Sequence, residues 1–118
     1  MSDRYALGDY TAALRAAELI LGRDPGHQAA RSIAQSCRDH LIMIYRAHLG
    51  APSRVPTVAV DGAEVRWLGL DHRAAFLLSR VDGQHTVAEL VDVSGMPELE
   101  ALKTLVELLD VGAIRFGR

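Results

Sequence analysis

The chain has 118 residues, 49% of them apolar but only 5% aromatic, and a formal net charge of −2. That length holds one ordinary domain or two very small units sharing a core. The aliphatic composition favours helices over a β-sandwich, and the small net charge argues against binders of nucleic acid or membrane surfaces.

Residues 1–50 read as two helices. The first is expected from about Asp9 to Leu21, with Ala12, Ala13, Ala16, Ala17 and Ile20 on one side, extended by Leu14 and Leu21, and Gly22 as its stop. Asp24-Pro25 then reads as a cap followed by proline at the first helical position. The second helix is expected from Pro25 to about Leu49, with Ala30, Ile33, Ala34, Cys37, Leu41, Ile44 and Tyr45 as its apolar stripe. Gly50 ends it and Pro52 forbids continuation. Ala51-Pro52-Ser53-Arg54 marks the expected boundary, too short for independent tumbling.

Beyond it, Val55 to Val60 reads as a strand, with Pro56 marking an edge or a strand start. Asp61-Gly62 is a hairpin-turn pair, and Val65 to Leu68 the expected return. Three short helices follow. The first opens at Asp71, carries Ala74, Ala75, Phe76, Leu77, Leu78 and Val81, and stops at Asp82-Gly83. The second opens on Thr86-Val87-Ala88-Glu89, a capping box, and ends at Gly95. The third begins at Pro97 and carries Leu99, Leu102, Leu105, Val106, Leu108 and Leu109, with Gly112 as its cap. Ala113 to Phe116 returns as a strand. The expected fold is mainly α (α+β): an N-terminal antiparallel helical hairpin, 1–50, and a small winged-helix-like domain of three helices and a short β-sheet, 51–118.

Two resemblances sharpen this. Gly8-Asp9-Tyr10, Ala13 and Asp24-Pro25 resemble the second helix of a tetratricopeptide repeat. In that family a Gly-Asp-Tyr turn starts the second helix, a small residue follows, and a proline closes the repeat. Ala17 stands where a large aromatic is usual, and only seven residues precede Gly8. The resemblance therefore covers a half-repeat plus the longer helix after it, about 6–49. It implies a cap or docking hairpin rather than a solenoid groove, which needs several repeats. Residues 55–116 resemble PqqD-type domains through Leu70 to Leu78, Asp82-Gly83, Thr86-Val87-Ala88-Glu89-Leu90 and Leu108-Leu109…Gly112-Ala113-Ile114. Those are winged-helix-like domains that recognise precursor peptides. The same pattern occurs in helix-turn-helix modules of bacterial regulators.

A helix-turn-helix raises DNA binding, but the third helix carries Glu98, Glu100, Glu107 and Asp110 against Lys103 alone. Residues 51–118 hold seven Lys/Arg and ten Asp/Glu, a net of −3. Phosphate neutralisation dominates DNA affinity, so an acidic reading head opposes it. Arg66, Arg73 and Arg80 could make a basic patch elsewhere.

Cys37, His40 and His48 share one helix, but residues 37 and 48 are about 16 Å apart along the axis, too far to share an ion whose ligands sit near 2 Å. They read as a buried thiol and two surface imidazoles. Asp71-His72 and Asp82…His85 pair acids with imidazoles, yet Asp71 reads as an N-cap and Asp82-Gly83 as a turn. Side chains so close in sequence are not expected to face one another. No nucleophile turn or phosphate-binding glycine loop is present. No catalytic residue, metal or cofactor is expected.

Protein or peptide binding remains. Leu41-Ile42-Met43-Ile44-Tyr45 is apolar all around its helix and must be covered on several sides. The competing reading is simple interdomain core. Its five residues also fall well short of the roughly 20 needed to span a bilayer. Val55–Val60 reads as an edge that accepts an added strand. The PqqD resemblance places such a contact near Val58, Val60 and the third helix. Trp67 reads as a core anchor more than an exposed hot spot.

The expected partner surface is therefore Leu41, Ile42, Met43, Tyr45, Val58, Val60 and Trp67. The expected partner is another protein, a peptide or a second copy of the chain, rather than nucleic acid, with no membrane insertion. The expected role is a non-enzymatic adaptor or scaffold in a bacterial regulatory or signalling system. A DNA-binding transcription regulator and a leader-peptide recognition element for a peptide-modifying enzyme are the alternatives. Met1-Ser2-Asp3-Arg4-Tyr5 lacks signal-peptide character, and Cys37 as the only cysteine excludes an intrachain disulfide, so the cytoplasm is the expected compartment.

Overall fold

The computed structural model describes residues 3–61 and 69–116, with side chains from Gly8 onward. Among these residues the chain is mostly helical with one two-stranded antiparallel sheet, as the composition requires. It divides into two compact units, 1–44 and 45–118.

The first unit is an antiparallel hairpin of α1 (Asp3–Arg23) and most of α2 (Gln28–Leu49). Helix α1 starts earlier than expected and runs through Gly22. Its buried seam is Leu14 and Ala17, flanked by half-buried Tyr10 and Leu21, whereas Ala12, Ala16 and Ile20 are exposed. Alanines give a stripe little direction, because burying a methyl gains far less than burying Leu14. Helix α2 answers with Ala30, Ala34, Cys37 and Leu41, all buried. An ion pair from Arg38 to Glu18 (3.3 Å) and a Tyr10–His40 ring stack (4.6 Å) flank this seam.

Helix α2 starts three residues later than the Asp24-Pro25 signal implied. The His27 amide donates to the Asp24 carbonyl (3.0 Å), closing a turn with Pro25 and Gly26 at its centre. His27 is the working cap, its Nδ1 accepting from the Ala30 amide at 3.1 Å.

The second unit takes the last turn of α2 and continues with β1 (Pro56–Val58), α3 (His72–Arg80), α4 (Val87–Val93), α5 (Glu98–Asp110) and β2 (Ile114–Phe116). The expected return strand at Val65–Leu68, and Trp67 with it, lies outside the described residues. Strands β1 and β2 pair antiparallel, with Pro56 opposite Phe116, Thr57 opposite Arg115 and Val58 opposite Ile114. Ladder bonding extends one step, from the Ala59 amide to the Ala113 carbonyl at 2.8 Å.

Caps define the helices. Asp71 accepts from the Ala74 amide at 2.8 Å. Thr86 and Glu89 close the capping box in both directions, at 3.1 and 2.9 Å. Helix α5 ends where the Gly112 amide donates to Leu109 and the Ala113 amide to Leu108, a reversal that needs the positive φ of Gly112 (+80°). Helix α5 is the centre of the unit. It touches α3, α4 and β2, and buries Leu105 and Leu108 completely, as α3 does Leu77 and α4 Leu90.

Candidate functional site: a groove in the second unit

A concavity of about 490 Å³ in the second unit lies where the last turn of α2 meets α4 and the start of α5. Its floor is apolar. Leu49, Val87 and Leu102 are buried there, and Val91 and Met96 are half-buried. Arg46, Asp92 and Glu98 add charge to its lining, and Arg46 is ion-paired directly to Glu98.

The segment after α2 builds one wall through Gly50 and Pro52. It is tied down by its own carbonyls. The Val87 amide donates to the Arg54 carbonyl (2.9 Å) and the Ala88 amide to the Pro52 carbonyl (3.1 Å). The Arg54 guanidinium folds back, donating to the Leu49 carbonyl (3.0 Å) and lying 4.0 Å over the Phe116 ring. The Cβ missing at Gly50 leaves room for that guanidinium.

Three of the four acids of α5 are paired within the unit. Glu98 pairs with Arg46, Glu100 with Arg73 (2.9 Å) and Asp110 with His48 (3.2 Å). Those contacts engage Arg46, Arg73 and His48, and leave Lys103 as the cation of α5 outside them. Tyr45, at the start of the same turn, is buried. Burial, then the nearby Glu107 and Glu100 carboxylates, raises its phenol above the ordinary value and keeps it neutral.

The residues singled out in the sequence lie elsewhere. Leu41 and Tyr45 are buried, Ile42 is half-buried and Met43 is 61% exposed, so the run is covered on one side of its helix. Val58 is exposed on β1 and Val60 half-buried beyond its end. None of these lines the groove. The groove residues come from three helices and the segments beside them, and no local pattern in the sequence joins them.

Cys37 is buried and free, the His40 Nδ1 contacts the Ser36 carbonyl (2.7 Å), and His48 contacts Asp110. Among the described residues no three His, Cys, Asp or Glu side chains gather to hold a metal.

Asp82 and His85 correct one expectation, for they do face each other. The turn brings the imidazole Nδ1 to 2.9 Å from the carboxylate, which also accepts from the Gln84 and His85 amides. The His85 side-chain bond first, then those amides, hold the Asp82 carboxyl down to about 2. The same bond and the charge of Asp82 raise His85.

Depressed Asp82 contributes stability that is present above the ordinary carboxylate range and lost as pH falls toward 2. Raised His85 contributes stability that is full below about pH 6.5 and lost as pH rises through its elevated value. The contact is therefore strongest between about pH 4 and 6.5, and it is small because both groups face water. In an NMR titration, His85 is expected to lose its proton above pH 6.5. In Asp82→Asn, which keeps an oxygen for the amides, its midpoint should return toward the ordinary value. An unchanged midpoint in that variant would show that the carboxylate is not its partner.

Comparison with family models, with curated proteins and with solved structures gives no match. No helix among the described residues is long and apolar enough to cross a membrane.

Proposed function

We propose that the chain is a non-enzymatic docking module of the cytoplasm, an adaptor that holds a segment of another protein in the groove formed by α2, α4 and α5. The observation that carries this reading is the groove's composition. Half-buried Val91 and Met96 lie beside buried Leu49, Val87 and Leu102, and Arg46, Asp92 and Glu98 are the charged residues of the lining. Apolar floors supply affinity by burial, and charges in the lining supply orientation and selectivity. Its volume suits one or two side chains of a bound segment. The excess of acids on α5, Glu98, Glu100, Glu107 and Asp110 against Lys103, weighs against the DNA-reading alternative.

Met96→Glu places a carboxylate on the floor, whereas Met43→Glu changes the exposed face of the long helix. With the immobilised chain as bait, partners retained by wild type should fall at least tenfold with Met96→Glu, a loss of about 1.4 kcal/mol, and persist with Met43→Glu. Melting temperatures of both variants check that the fold is intact. Equal capture by Met96→Glu would refute the groove. Loss with Met43→Glu alone would move the contact to the long helix. Tight, salt-steep DNA binding would replace the adaptor role altogether.

A further inference from the structure

We infer that the groove selects a peptide segment carrying one bulky apolar side chain with a lysine or arginine beside it, a specificity that rests on the docking role proposed above. The argument is charge complementarity. Arg46 is neutralised by Glu98, and Glu100 by Arg73. Glu89 is turned back onto the Thr86 amide. Asp92 is exposed in the groove's lining and has no ion-pair partner among the described residues. Helix α4 carries no cation anywhere between Val87 and Val93. The charge left over beside the apolar floor is therefore one carboxylate.

The start of α4 offers nothing to an anion in compensation. Its first three amides are already taken, Val87 by the Arg54 carbonyl, Ala88 by the Pro52 carbonyl and Glu89 by the Thr86 hydroxyl. An acidic occupant would meet the Asp92 carboxylate with no donor to offset it. A cationic one gains a partner while its apolar neighbour covers Val91 and Met96.

Selection of a displayed random-peptide library against the full chain tests this. Wild-type binders should share a large apolar residue with Lys or Arg adjacent. Asp92→Lys should weaken the best of them about five- to tenfold and shift new selections toward Asp or Glu. Met96→Glu should abolish both sets. Binders that are apolar without a cation preference, or indifferent to Asp92→Lys, would overturn the inference and leave the docking role standing. Binders indifferent to Met96→Glu, or no binders at all, would overturn both.

Discussion

Replacing Leu105 by alanine should cost the second unit about 2–5 kcal/mol, the range for truncating a fully buried leucine. Leu105 has no exposed surface. It lies on α5, which touches α3, α4 and β2, so the void it leaves is walled by several elements at once. Those elements are held at their ends by the Asp71 cap, the Thr86–Glu89 box and the Gly112 reversal, which limits how far they can collapse into it. A small domain has roughly 5–15 kcal/mol in total, so this one change removes a large share. Urea unfolding followed by circular dichroism should show a lower midpoint with an unchanged slope. Met43→Ala, at a 61% exposed position, serves as the control. Its cost should stay within about 0.5 kcal/mol. Near-equal midpoints for the two variants would mean that the unit is not packed around α5.

Gly50→Ala should be the next most damaging change, at about 2–3 kcal/mol, from two separate sources. Gly50 sits at φ +87°, where an L side chain is strained. Its added Cβ would also lie 2.7 Å from an Arg54 guanidinium nitrogen and 2.9 Å from Arg54 Cδ. Arg54 cannot withdraw without giving up the Leu49 carbonyl and the Phe116 ring. A double-mutant cycle separates the two contributions. In an Arg54→Ala background the clash disappears and only the backbone strain remains, so Gly50→Ala should cost less there than in wild type. Equal costs in both backgrounds would show that the side chain yields freely. Because Gly50 and Pro52 form a wall of the groove, the same substitution should weaken any bound segment more than it lowers the melting point.

What could be read from the sequence was local. Asp71, Thr86 with Glu89, Asp82-Gly83 and Gly112 declare helix ends within a few residues, and each end lies close to where those residues put it. The failures were also local in cause. Asp24-Pro25 has the form of a helix start, but Gly26 makes a turn of it and His27 becomes the cap. On α1 the alanines formed a stripe by spacing, yet Leu14 decided which face turned inward. Asp82 and His85 met because a tight turn reversed the chain between them.

The groove had no such signature. Arg46 is fifty-two residues from Glu98. Periodicity reports which face of a helix is buried, not which helices meet. The apolar run Leu41–Tyr45 stands out by composition, while the half-buried Val91 and Met96 lie in no apolar run of that length.

The most direct test of docking in this groove is a methyl NMR titration of the full chain with a peptide taken from a captured partner. Shifts should be largest for Met96, Val91 and Leu102, with Met43 and Val58 unmoved. Shifts confined to Met43, Ile42 or Val58, with the groove methyls silent, would contradict it.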